Sequence, residues 1–230
     1  MKPIQKSPAV AINLSDDGSH LDIAIRGRVG DLGRSSDDIG EALGHDVKTV
    51  TIFINSLGGY AHEGIGLHNM LKAHPAKVDV VVEGVAGSAA SVVAMSASAG
   101  CLAMTDPSLM MIHGTVIVDA DGEPVKGQEK MAATFDDALA RIYCARTGKS
   151  DAEVRRLMAA VTWMNAREAV ASKFADIVLT VPTPGAPTSL NEAIAIAHGE
   201  PKLAKTFRPP PKAVDYSEVW RRAIARSLAH

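Results

Sequence analysis

The chain has little of what marks secreted, membrane or nucleic-acid-binding proteins. Its 230 residues hold only two cysteines, Cys101 and Cys144. They are widely spaced and show no metal pattern, so they are expected as small buried apolar residues of a reducing, cytoplasmic compartment. Aromatic residues make up 4% of the chain, so a core must be built from Val, Ile, Leu, Ala and Met. The 24 Lys and Arg are balanced by 26 Asp and Glu, which argues against nucleic acid as the main partner. No apolar run reaches membrane-spanning length, and Met1-Lys2-Pro3 leads into none that would make a signal peptide. A Gly-x-Ser-x-Gly elbow is also missing, which withholds support from an α/β-hydrolase. Neither metal nor cofactor is expected.

What is present is an alternation of short apolar runs and helical patterns. Val10 to Leu14 and His20 to Ile25 read as strands around the turn Asp16-Asp17-Gly18-Ser19. Ser35-Ser36-Asp37-Asp38 caps a helix ending near Gly44. A buried strand over Val50 to Ile54, a helix over Glu63 to Ala73 and a strand over Val78 to Val82 follow. A helix over Ala89 to Ala97 comes next, then short strands at Cys101 to Met104 and Leu109 to His113, split by Asp106-Pro107. This order predicts an α/β core with a mixed or parallel sheet. Gly114 to Gly127 is polar and turn-rich, and the helix over Glu129 to Arg146 has an apolar stripe of Met131, Ala132, Phe135, Leu139 and Ile142. Beyond residue 180 the character changes. Val181 to Thr188 reads as a Pro-rich linker, Leu190 to Ala197 as a short amphipathic helix, Phe207 to Lys212 as a stiff spacer and Tyr216 to Leu228 as a further helix. The expected division is therefore a domain over 1–180 and an extension over 181–230.

Between Ile54 and His113 lies a set of groups that serine chemistry requires. A serine hydroxyl is a poor nucleophile without a base in hydrogen-bond reach, and an imidazole titrates in the useful range. The oxyanion of a tetrahedral intermediate needs backbone N–H donors held ready. Ser88 sits where a strand gives way to a helix, among Ala86, Gly87, Ala89 and Ala90. His113 ends an apolar run and is the candidate base. The N–H of Ala89 is a natural oxyanion donor, since a helix start leaves such groups unbonded. Gly58-Gly59 follows a strand and lets the backbone turn and approach a ligand closely. Each element has a simpler reading taken alone: a serine N-cap, a packed histidine, a glycine turn. Three in order, each with a chemical task, favour the functional one.

The same stretch resembles the Clp protease proteolytic subunit family, most closely its phage and prophage head-maturation members. The resemblance rests on Asn55-Ser56-Leu57-Gly58-Gly59, Gly84-Val85-Ala86-Gly87-Ser88 and Met111-Ile112-His113, with Leu57 where the family has proline. It covers roughly Ile23 to Thr180. It implies a ClpP/crotonase-like ββα superhelix, with Ser88 as nucleophile, His113 as base and the backbone of Gly59 and Ala89 as oxyanion hole. It also makes the Glu129 to Arg146 helix the handle that joins two rings. Ser91, three residues on, is the competing serine and reads as packed within its helix.

The family's third triad member is acidic, and its place here falls on Val161 or, with a one-residue slip, on Thr162. The orienting group is unknown from sequence: Asp136, Asp137, Glu153, a backbone carbonyl or the Thr162 hydroxyl are candidates. The resemblance implies a self-compartmentalising, ring-forming homo-oligomeric serine endopeptidase. Its substrates would be polypeptides, in a phage setting scaffold or capsid precursors, and no ATPase partner is expected. The alternatives are a structural or scaffold-associated shell protein with weakened activity, and an enoyl-CoA hydratase-like enzyme that would leave the serine and histidine unexplained.

Overall fold

Apolar residues recur at every second position in three segments, and the strands they form pair in register. Leu21, Ile23 and Ile25 align with Val50, Ile52 and Ile54, which align with Val78, Val80 and Val82. All nine side chains are 0 or 1% exposed. Each contributes about 1.5–3 kcal/mol by burial, so a slip of one residue, which would turn the whole set to the other face, is excluded.

The computed structural model describes residues 10–30, 35–119 and 124–180. Among them the chain runs β1 (Val10–Leu14), β2 (His20–Ile25), β3 (Arg28–Val29), α1 (Ser35–Ala42), β4 (Thr49–Ser56), β5 (Gly58–Gly59), α2 (Ala61–Ala73), β6 (Lys77–Gly87) and α3 (Ala89–Ala94). It continues through β7 (Leu102–Thr105), β8 (Leu109–Ile112), α4 (Glu129–Thr147), α5 (Asp151–Ala159), β9 (Thr162–Asn165), α6 (Ala166–Ala171) and β10 (Ile177–Leu179). The main sheet has the order β1-β2-β4-β6-β7-β10, with β8 beside β6 and β9 beside β8. The β2–β4, β4–β6, β6–β7 and β6–β8 pairs are parallel, while β1–β2 and β8–β9 are antiparallel. The mixed α/β expectation holds.

Two differences from the sequence expectation position the site. β6 runs on to Gly87 instead of stopping at Val82. Its first half pairs with β7 through Val80, Val81 and Val82, and its second half with β8 through Val85, Ala86 and Gly87. Glu83 and Gly84 break the apolar pattern, but β8 supplies the backbone partners that keep the segment extended. Gly58-Gly59 is also more than a turn, because it forms a two-residue strand parallel to Arg28–Val29.

The α4 stripe is covered only in part. Leu139, Ala140, Tyr143 and Thr147 are buried, while Met131 is 48% exposed. The end of α4 is tied down by an ion pair from Arg146 to Asp176, whose carboxylate also accepts the Leu102 N–H at 2.9 Å. Cys101 is buried as expected, but Cys144 on α4 is only partly so. No helix among the described residues is long and apolar enough to cross a membrane. The chain divides between Val178 and Leu179. The linker, spacer and helices expected after residue 180 lie outside the described residues.

Candidate active site

Ser88 is delivered by the last residue of β6 and precedes the first residue of α3. Its backbone has φ 50 and ψ −125, a left-handed turn that a side chain adopts at a cost of about 1–3 kcal/mol. The turn is held from both ends. The Ser88 N–H donates to the Met111 carbonyl at 2.8 Å. The Ser88 carbonyl accepts from the Ser91 N–H at 2.9 Å and from the Ser91 hydroxyl at 2.6 Å. The Ser88 side chain makes no capping bond to α3, so the N-cap reading fails. Its Oγ lies 2.8 Å from His113 Nε2 instead. The parallel register that sets Gly87 beside Met111 brings the ends of β6 and β8 together, and so closes the 25 residues that separate serine from histidine.

The glycine pair lies against the serine. Gly58 has φ +107, and a Cβ there would come within 2.6 Å of Ser88 Cβ and 3.0 Å of Ala89 N. At Gly59 a Cβ would lie 2.1 Å from the Val29 carbonyl oxygen. The Tyr60 N–H donates to that same oxygen at 3.0 Å. Successive strand N–H groups alternate in direction, so the Gly59 N–H leaves from the opposite edge. Ala89 opens a six-residue helix, and its N–H is one of those with no acceptor inside the helix. Gly59, Ala89, Ser88 and His113 border one cavity of about 230 Å³. Its apolar wall is Val92, Phe135 and Leu139 with the ring of Tyr143. Thr115 also lines it, with a buried hydroxyl that has no hydrogen-bond partner among the described residues.

Ser91, the competing serine, is fully buried and bonded to Ser88 and Tyr143. The sequence reading missed Tyr143, although its spacing from Leu139 places it on the buried stripe. It also missed Arg28, which stacks 4.5 Å above the Tyr60 ring at the cavity rim.

The candidates for orienting His113 separate clearly. Asp137 is paired with Arg155 at 2.7 Å and Glu153 with Lys149 at 2.6 Å. The Thr162 hydroxyl donates to the Leu157 carbonyl at 2.6 Å. Asp136 comes nearer: it accepts the Thr115 N–H at 2.6 Å and packs against Gly114, the residue after His113. Ile112 pairs with Thr162 as the last pair of the β8–β9 ladder, so His113 directly follows β8 and Val161 directly precedes β9. Val161 has φ 49 and is 49% exposed. Among the described residues, His113 Nδ1 has no hydrogen-bond partner. No cluster of His, Cys, Asp and Glu among them is suited to hold a metal ion.

Comparison with known proteins bears on this arrangement. The family model for Clp protease matches residues 42–182. ATP-dependent Clp protease proteolytic subunit 1 of Protochlamydia amoebophila is 29% identical over 135 residues, covering 57% of this chain and 66% of that protein. The protein of the same name from Chlamydia abortus is 32% identical over 131 residues, covering 52% and 64%. The chain thus spans just under two thirds of these relatives. Among solved structures, a mutant of ClpP1 from Listeria monocytogenes superposes with a TM-score of 0.57 at 21% identity, covering 70% of this chain and 91% of that one. That likeness speaks for a ClpP-like fold.

Proposed function

We propose that this chain, which belongs to the Clp protease family, is a serine endopeptidase that works by acyl-enzyme chemistry at Ser88. The observation that carries the reading is the 2.8 Å contact between Ser88 Oγ and His113 Nε2 in a cavity that Gly59 and Ala89 also line. In this reading Nε2 takes the Ser88 proton as Oγ attacks the scissile carbonyl. The oxyanion is received by the N–H groups of Gly59 and Ala89, each such donor being worth about 10²–10³ in rate. The imidazolium then protonates the leaving amine, and water repeats the sequence to release the acyl group. The apolar wall of Val92, Phe135 and Leu139 suits an uncharged substrate side chain next to the cut bond.

No carboxylate faces His113 Nδ1 among the described residues, so the reading is of a serine–histidine pair with a weakly oriented base. The match to proteolytic subunits gives the inactive-shell alternative no support. The partly uncovered α4 stripe supports ring-type self-assembly, with sedimentation in the micromolar range as its test. The motif resemblance supports polypeptide substrates of the scaffold or capsid-precursor kind, and no ATPase partner is part of the proposal.

The deciding experiment is stoichiometric labelling by a fluorophosphonate, with the modified residue located by mass spectrometry. Labelling at Ser88 that disappears in Ser88→Ala supports the reading. A folded, assembled protein that takes no label, or takes it at Ser91, overturns it.

A further inference from the structure

We propose that Tyr143 and Ser91 form a positioning relay that aims and strengthens the Ala89 N–H. The inference rests on the acyl-enzyme reading above and extends it to two buried hydroxyls that take no part in bond making. Ser91 Oγ lies 2.6 Å from the Ser88 carbonyl oxygen and 2.8 Å from Tyr143 Oη. A carbonyl only accepts, and a serine hydroxyl has one proton. That proton therefore goes to the Ser88 carbonyl, and Tyr143 must donate to Ser91. The direction is fixed: Tyr143 O–H to Ser91 Oγ, then Ser91 O–H to the carbonyl of Ser88. Tyr143 is 1% and Ser91 0% exposed, so solvent does not compete for these bonds. Burial pushes the Tyr143 phenol further above its ordinary range, which keeps it a donor.

The carbonyl at the end of this chain belongs to the same peptide plane as the Ala89 N–H. In a planar trans peptide the two point in opposite directions. Holding the Ser88 carbonyl from inside the protein therefore aims the Ala89 N–H out towards the cavity. Hydrogen bonds accepted at the carbonyl also polarise the amide, strengthening its N–H as a donor by roughly 10–30% per bond. The relay thus has two effects on one group. It stabilises the strained turn at φ 50, and it prepares the donor that meets the oxyanion. Because Tyr143 projects from α4, the orientation of that helix enters the rate of the chemical step.

The test compares wild type, Tyr143→Phe, Ser91→Ala and the double variant. Acylation by an activated peptide ester is measured as kcat, KM and pH profile, with active sites titrated by fluorophosphonate. Tyr143→Phe removes one oxygen and leaves Ser91 bonded to Ser88. It should lower kcat per titrated site about fivefold, and Ser91→Ala about tenfold or more, a scale set by one hydrogen bond. KM and the pH midpoint should stay in place, since neither substrate binding nor His113 is touched. The double variant should fall within twofold of Ser91→Ala, because the two groups act in series. Wild-type kcat per titrated site in both single variants overturns the inference, as does a loss confined to the titre or a shifted pH midpoint. If Ser91→Ala does not fold, Tyr143→Phe decides alone. A wild type that takes no fluorophosphonate defeats the acyl-enzyme reading and this inference together. A labelled wild type with unaffected variants defeats only the inference.

Discussion

The two halves of the candidate site are built to different standards. On the serine side everything is held. The Ser88 N–H is bonded to β8, its carbonyl receives donors from Ser91, and the glycine pair presses on it so closely that a methyl group would collide at 2.6 Å. On the histidine side the ring makes one hydrogen bond among the described residues, between Nε2 and Ser88 Oγ, and Val161 lies just past the end of the β8–β9 ladder. A nucleophile and its oxyanion donors gain from rigid placement, whereas an imidazole with no Nδ1 partner among the described residues has nothing there to fix its tautomer and orientation. The difference teaches that one fold can hold the two halves of a candidate site to very different degrees.

Four experiments break or sharpen this contrast. The largest effect is expected for Ser88→Ala, which should reduce acylation of an activated ester by at least about 10⁴-fold, with thermal unfolding unchanged because one oxygen is lost beside small neighbours. Residual turnover close to wild type would place the chemistry elsewhere.

Gly58→Ala attacks the held half through its backbone. The new methyl must displace Ser88 or Ala89, and φ +107 disfavours any side chain. A rate loss of about 10²-fold or more and a stability loss of about 1–3 kcal/mol should appear in ester kinetics and denaturant melts. A neutral outcome would mean that the glycine pair does not touch the reacting groups.

Val161→Asp should repair the loose half. It sets a carboxylate beside the Ile112–Thr162 pair that precedes His113, and it replaces a β-branched residue at φ 49 by one that tolerates left-handed backbone far better. At 49% exposure the new charge needs no buried partner. Single-turnover acylation should rise about tenfold or more, within a ceiling of about 10⁴, with no fall in melting temperature. An unchanged rate would show that His113 is already oriented.

The smallest effect separates the native acids. Asp136→Asn should slow acylation by about two- to fivefold, because it weakens a charge-assisted hydrogen bond that holds the Gly114-Thr115 backbone after His113. Asp137→Asn and Glu153→Gln should leave the rate unchanged, since each loses only a surface ion pair. A loss of several hundredfold at any of the three would mean that this residue acts as the third triad member, and that the loose half is loose in appearance only.

The serine half was also the more legible in sequence. Gly58-Gly59, Ser88 and Ala89 announce themselves through composition, because only very small residues permit the close approach between β5 and the head of α3. The strands were legible through their alternation, as at Leu21, Ile23 and Ile25. The reading ended β6 five residues early because Glu83 and Gly84 interrupt the apolar pattern, and no local signal reports that β8 will supply the hydrogen bonds. Nothing in the sequence reading set a strand at Thr162–Asn165, so the pairing of Thr162 with Ile112, next to His113, was invisible. Ser91 and Tyr143 stand 52 residues apart, and a hydrogen bond over that distance leaves no periodic trace.

The sequence by itself determined the class of fold and the candidate pair of Ser88 and His113, because periodicity and residue type are local properties. The tertiary structure decided which side chains meet. It closed the Ser88–His113 distance through the parallel pairing of β6 and β8, engaged Asp137, Glu153 and Thr162 elsewhere, and set a tyrosine of α4 behind the Ser88–Ala89 peptide. Each of these depends on strand register and on the way a helix packs, and both are fixed only when distant segments bury their apolar faces against one another.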